Sequence, residues 1–196
     1  MVEPHLARER RGLKKARVQV LQIDNTVLVV IDVQGRLARI VHRSEFVIHT
    51  IRKLIRGAKV LDIPIVVTEQ YPEGIGPTVP EIREVLGDIR PITKRTFSCC
   101  SIDEFMRQLK NRSQILIGGI ETHVCVYQTV MDLLAKGYEV HLIADAVSSR
   151  REENAASAIT RLRDEGAKVS NLEMALFELL QIAQGKRFKE ILEIVK

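Results

Sequence analysis

Three side chains that together can break an amide bond follow three separate apolar runs. Asp32 ends Val27-Leu-Val-Val-Ile-Asp32, Lys94 ends Pro91-Ile-Thr-Lys94, and Cys125 lies shortly after Gln114-Ile-Leu-Ile-Gly-Gly119. A thiol can attack a carbonyl carbon, a carboxylate can take the thiol proton, and a fixed ammonium can hold both in their charged forms. Cys125 falls one turn into an expected helix. The N–H groups and partial positive charge of such a terminus favour a thiolate and can bind an oxyanion. Each residue also has a plain structural reading: Asp32 as a turn cap, Lys94 as a solvated lysine, Cys125 as a small core side chain between Val124 and Val126. Cys99 and Cys100 are rival nucleophiles, but no glycine-lined strand-to-helix turn precedes them.

The elements that must position these residues follow from periodicity. Continuous runs rich in Val and Ile predict buried strands at 27–32, 65–68, 91–94, 114–118, 139–144 and 167–170. Helical spacing predicts helices at about 45–62, 80–86, 102–109, 124–135, 152–165, 172–182 and 188–195. Thr78, Ser101 and Asn171 are expected caps, with Glu104 three residues after Ser101, and Ser148, Ser149 and Arg150 are expected to cap the helix that follows them. Strand and helix alternate about six times, which predicts an α/β fold of three layers, α/β/α, with right-handed crossovers. Sites in such sheets lie beyond the carboxyl ends of the strands. Asp32, Glu69, Lys94, Gly118 to Cys125, and Asp145 all belong to that edge.

Composition narrows the class. The 196 residues are 45% hydrophobic and 28% charged, as in ordinary globular domains. No apolar run approaches the ~20 residues of a membrane helix, and the N-terminus lacks the apolar core of a signal peptide, so a cytoplasmic location is expected. Three cysteines, two of them adjacent, make a poor disulfide framework, and the five histidines are scattered, so no metal site is expected. The net charge is +5, but residues 1–19 hold six basic and two acidic residues, leaving 24 basic and 23 acidic in the remainder. The chain therefore divides into a basic extension, 1–20, and a nearly neutral domain, 21–196, with no nucleic-acid face. The first strand is followed by Asp32-Val-Gln-Gly-Arg, with no GxGxxG, which counts against a dinucleotide-binding protein.

Val29-Val-Ile-Asp-Val-Gln34, Pro91-Ile-Thr-Lys94 and Gly118-Gly-Ile-Glu-Thr-His-Val-Cys-Val126 resemble the three signature segments of the isochorismatase-like cysteine hydrolases. The resemblance runs from about Asn25 to the C-terminus. Val67-Thr-Glu-Gln-Tyr-Pro72 and Ala144-Asp-Ala-Val-Ser-Ser-Arg150 are most similar to the isochorismatase-domain-containing branch. The resemblance implies an Asp–Lys–Cys triad of Asp32, Lys94 and Cys125, and a six-stranded, mainly parallel, Rossmann-like sheet of order 3-2-1-4-5-6. It also implies a cis peptide at Ile120–Glu121, an oxyanion site at the amides of Glu121 or Thr122 and of Cys125, no cofactor, and a homo-oligomer. The apolar stretches Met174-Ala-Leu-Phe177 and Ile191 to Val195 can serve as interface or as core. Gln34, Glu69, Gln70 and Tyr71 are the candidates for a small-molecule pocket. Metal-dependent nicotinamidases of this fold carry histidines near the second strand, where this chain has Glu69-Gln-Tyr-Pro-Glu-Gly-Ile-Gly76. Isochorismatases proper lack the cysteine. The reading that follows is a small-amide hydrolase acting through a thioester; the alternative is a non-catalytic binding or scaffolding protein that retains the fold.

Overall fold

The first long apolar run becomes the central strand. In the computed structural model, which describes residues 20–109 and 111–196, strand β1 (Thr26–Ile31) is buried along its whole length. Its side chains alternate between two cores. Leu28 and Val30 pack with Ile51, Leu54 and Leu176, while Val27, Val29 and Ile31 pack with Ile117, Val130 and Leu133. Each such side chain, once removed from water, contributes about 1.5–3 kcal/mol. Two cores on either side of one sheet make the three layers. The expected basic extension lies outside the described residues, apart from Val20.

The chain continues through α1 (Leu37–Ile40), α2 (Ser44–Val60), β2 (Ile65–Gln70), α3 (Pro72–Ile75), α4 (Pro80–Leu86), β3 (Ile92–Lys94) and α5 (Asp103–Gln108). It then forms β4 (Gln114–Ile120), α6 (Tyr127–Ala135), β5 (Glu139–Ser148), α7 (Glu152–Asp164), β6 (Lys168–Ser170), α8 (Leu172–Leu180) and α9 (Gly185–Val195). The sheet order is β3-β2-β1-β4-β5-β6, and every neighbouring pair is parallel. Helices α2, α4, α8 and α9 cover one face, and α5, α6 and α7 the other. The order reverses between β1 and β4, so the crevice of an open α/β sheet opens above their carboxyl ends. Among the described residues, no helix is long and apolar enough to cross a membrane.

Several local expectations need correction. β2 runs on to Gln70 and β5 to Ser148, so Glu69, Gln70 and Asp145 are strand residues. The pairing of β5 with β4 shifts between Ile117 and Gly119, whose partners are Leu142 and Val147; a polar residue such as Asp145 at that irregularity hid the strand's continuation. Asn171 does cap α8, its Oδ1 accepting from the Met174 amide at 2.8 Å. Thr78 does not cap α4; its hydroxyl donates to Glu69 Oε1 at 2.6 Å. Ser101 does not cap α5; Ser98 instead accepts from the Cys100 amide in the turn before it. Ser148, Ser149 and Arg150 do not cap α7, which starts after Arg151 with no side-chain cap. The C-terminal apolar stretches are core: Ala175, Leu176, Leu179, Ile191 and Ile194 are all buried, and Met174 alone of these is exposed.

Gly118 and Gly119 separate packing from backbone constraint. Gly119 has φ +131, and a Cβ there would stand 2.2 Å from the Ile31 carbonyl oxygen of the paired strand. At Gly118 the nearest atom would be the Ala146 carbonyl oxygen at 3.3 Å. Gly119→Ala is expected to cost about 3 kcal/mol or more through overpacking and backbone strain, lowering Tm by roughly 6–12 °C. Gly118→Ala is expected to cost about 1 kcal/mol or less. Thermal unfolding of the two variants checks the contrast; equal losses would refute it.

Candidate active site

Asp32 leaves β1 in the left-handed region, φ 54, a conformation that aspartate tolerates better than β-branched residues do. Its amide donates to the Thr68 carbonyl at 3.2 Å. Its carboxylate is 97% hidden from solvent yet fully engaged. Thr68 Oγ1 donates to Oδ1 at 2.7 Å, and Lys94 Nζ donates to Oδ2 at 2.6 Å. The Lys94 ammonium, with no exposed surface, also faces Gln70 Oε1 at 2.7 Å and the carbonyls of Phe97 at 3.1 Å and Thr96 at 3.2 Å. Its N–H donors are therefore satisfied. A lone buried charge is strongly unfavourable; a paired and hydrogen-bonded one can be held.

Cys125 sits in a wide turn, Thr122–Val126, that leads into α6. Val126 N donates to Glu121 O at 3.3 Å and Tyr127 N to Thr122 O, the five-residue spacing of a π-type turn. The peptide bond Ile120–Glu121 is cis. Thr129, one turn into the helix, ties Cys125 and the rival cysteine together: its hydroxyl donates to Cys125 O at 2.7 Å and accepts from the Cys99 amide at 3.1 Å.

The surroundings favour the thiol over the thiolate, contrary to the expectation drawn from the helix terminus. Burial pushes Cys125 up to about 12, with the neighbouring Asp32 charge next in importance. Lys94 acts in the opposite direction, and the hydrogen bond to Asp32 also favours the thiol. Burial likewise raises Cys99 to about 11 and Cys100 to about 12. What separates the three is the space in front of the sulfur: Cys100 is the most exposed, but Cys125 alone faces a cavity at the Asp32 carboxylate. A cavity of about 110 Å³ is lined by Cys125, Asp32, Gln34, Gln70 and Glu121, with apolar walls from Leu37, Ile75, Phe97, Ile120 and Val124. Cys99 and Cys100 do not line it.

The structure brings Asp32, Lys94 and Cys125 together and puts Gln34 and Gln70 beside the cavity. It leaves Glu69 and Tyr71 outside the lining. Glu69 Oε1 accepts from both the amide and hydroxyl of Thr78, and Tyr71 is half-exposed under the Arg95 guanidinium, 4.0 Å from its ring centroid. Gln34 Nε2 donates to Gly76 O at 2.7 Å and Gln70 O at 3.2 Å, while its Oε1 accepts from Gln70 N at 2.6 Å. Gln34 and Glu69 thus fasten the 71–79 segment, which carries the Ile75 wall. His123 Nδ1 pairs with Ser149 Oγ at 2.9 Å, and Glu121 Oε1 accepts from the amide and Nε of Arg150. Thr68, Ile75 and Phe97 were not singled out from sequence. Thr68 directly precedes a flagged residue at the end of β2, which is its one sequence signal. Among the described residues, no cluster of His, Cys, Asp or Glu is suited to hold a metal ion. A larger open depression, about 970 Å³, lies by Glu69, Arg83, Asp88 and Arg90 and has no cysteine in its lining.

Comparison with known proteins places the chain in a family. Residues 26–174 match the family model described as Isochorismatase domain. The chain is 40% identical over 179 residues to the Phytophthora sojae (strain P6497) protein named Secreted isochorismatase effector Isc1, covering 88% of this chain and 85% of that one. It is 36% identical over 176 residues to Isochorismatase domain-containing protein 2A of Mus musculus, covering 88% and 84%. Among solved structures, one described as the MAR1 ribonuclease of Caenorhabditis elegans matches with a TM-score of 0.86 and 37% identity, covering 90% of this chain and 92% of that one.

The buried pair yields a test. Lys94→Met leaves the Asp32 carboxylate without its counterion and is expected to cost about 3–5 kcal/mol, roughly 6–20 °C in Tm. Adding Asp32→Asn to that variant removes the stranded charge and is expected to recover at least about half of the loss. Urea denaturation of both variants measures it; a double variant no more stable than the single one would show that the stranded charge is not the cause.

Proposed function

The chain belongs to the isochorismatase family, and from that premise we propose that it is a cysteine hydrolase cleaving a small amide, or a related C–N bond, through a thioester on Cys125. The observation that carries this reading is the Asp32 carboxylate itself. It is held by Lys94 and Thr68, it meets the Cys125 thiol, and all of this occurs at a cavity above the β1/β4 switch point.

Because the thiol is protonated at rest, proton transfer to Asp32 accompanies attack of Sγ on the carbonyl carbon. The resulting oxyanion is held by amides of the turn, those of Glu121 or Thr122 and of Cys125, at about 3–4 kcal/mol per donor. Asp32 then gives its proton to the leaving nitrogen, and the thioester remains. A water, deprotonated by Asp32, attacks the thioester; the acid departs and the proton returns to Cys125. Lys94 holds the Asp32 carboxylate in position throughout these steps. No cofactor or metal enters the cycle.

A homo-oligomer and a cytoplasmic location belong to the same proposal, although one relative is named a secreted effector. The C. elegans relative is described as a ribonuclease. For this chain, cavity size and the carboxylates in its lining favour a small molecule over RNA.

Intact-protein mass spectrometry after incubation with small amides tests the proposal. The expected result is an acyl adduct on the wild type that maps to Cys125 and is absent from Cys125→Ser. In Asp32→Asn, loss of the negative neighbour leaves Lys94 facing the thiol, so the thiolate absorbance is expected to titrate at lower pH. Turnover is nevertheless expected to fall by about 10²–10⁴-fold, because the base is gone. Cleavage of an RNA oligonucleotide by the wild type, with no acyl adduct from any amide, would overturn the reading.

A further inference from the structure

We propose that the substrate delivers a short, uncharged, aliphatic acyl group to Cys125, with Phe97 and Ile75 setting its length; this rests on the cysteine-hydrolase reading above. Three properties of the cavity carry the inference.

The first is volume. About 110 Å³ lies well below the roughly 300–1,000 Å³ of pockets that take drug-sized ligands. A carbonyl with two or three carbons suits it better than an aromatic ring with its amide.

The second is charge. No lysine or arginine lines the cavity, whereas Asp32 and Glu121 do. The ammonium nearest to it, that of Lys94, already faces four acceptors. A carboxylate on the acyl group would lose its water next to two protein carboxylates and gain no counterion. A cation fares little better. Asp32 is already paired with Lys94 and Glu121 with Arg150, and the remaining walls are largely aliphatic and aromatic. The amide groups that could accept a polar substituent are committed too, Gln34 to the 70–76 backbone and Gln70 to Lys94 and the Arg95 carbonyl.

The third is rigidity. The Ile75 wall cannot retreat easily, because its segment is fastened by Gln34 and Glu69 and lies so close to Gly35 that a Cβ there would come within 2.0 Å of Ile75 O. The backbone of Phe97 is held by Lys94 through its carbonyl. The Phe97 ring is the freer part, 53% of that residue being exposed, so it forms the rim at which acyl length is read.

The test is ammonia release, together with mass-spectrometric detection of acyl-Cys125, for the full chain with propanamide, glycinamide, malonamate and nicotinamide. Propanamide is expected to exceed the cationic and anionic compounds in kcat/KM by at least about 100-fold, the scale of stranding a buried charge, and to exceed nicotinamide as well. In Phe97→Ala the preference is expected to move toward longer chains, hexanamide gaining about 10-fold or more relative to propanamide. Ile75→Ala, which enlarges the opposite wall, is expected to give the same direction and covers the case that the first variant fails to fold. A preference for malonamate, glycinamide or nicotinamide, with the acyl group still found on Cys125, overturns the specificity and leaves the cysteine chemistry standing. No acyl-Cys125 and no ammonia from any compound overturns both.

Discussion

A buried ammonium has to find acceptors, and much of this site follows from that requirement. Lys94 is among the largest fully buried side chains of the protein. Its charge is held by one carboxylate, one side-chain amide and two backbone carbonyls. The two carbonyls belong to Thr96 and Phe97, so satisfying the charge also fixes the course of the chain beyond β3. The amide is that of Gln70, whose own nitrogen then turns to the Arg95 carbonyl at 3.1 Å. One ion pair thus orients the Asp32 carboxylate, anchors the Phe97 wall and uses up Gln70. Any change in the pair is felt in charge and in shape together.

In the proposed chemistry the same environment makes Cys125 reactive only on demand. Burial and the adjacent carboxylate keep the thiol protonated, and a thiol is a poor target for oxidants and alkylators. The carboxylate that suppresses ionisation is also the group positioned to take the proton. Attack is then coupled to the presence of an electrophile in the cavity, because only there does bond formation to sulfur offset the unfavourable proton transfer. A helix terminus alone would have given a standing thiolate. Here desolvation outweighs it, and the wide turn that starts the segment places Cys125 before the regular α6 helix begins.

What the sequence disclosed follows from where each residue's role is decided. Asp32, Lys94 and Cys125 were legible because each closes or follows an apolar strand, and in a parallel sheet all strand ends of one sense share an edge. The layers and the parallel pairing were legible for the same reason: β1 is apolar at every position from Val27 to Ile31. The committed roles of Gln34 and Glu69 were not legible, since they depend on partners that arrive from the 70–78 segment and on which hydrogen-bonding atom is left over. Thr68 was missed because a threonine near the end of a strand looks like ordinary β-sheet; its hydroxyl acquires a role only once Asp32 turns back in the left-handed region to meet it. The extension of β5 was hidden by its polar residues at a break in register.

Chemistry and selectivity are therefore built from different parts of this chain. In the proposed chemistry the base, Asp32, directly follows β1 and the nucleophile, Cys125, lies in the turn after β4, both at the carboxyl edge of the sheet. Three of the walls, Leu37, Ile75 and Phe97, are on segments outside the sheet, while Ile120 closes β4 and Val124 lies in the turn after it. A substitution in a wall changes the space in front of the sulfur without touching the carboxylate behind it. A substitution at Lys94 or Thr68 changes the carboxylate, and at Lys94 the Phe97 wall as well. For this chain the relevant constraint is local: a small, preset space with carboxylates in its lining and no lysine or arginine side chain to receive an anion.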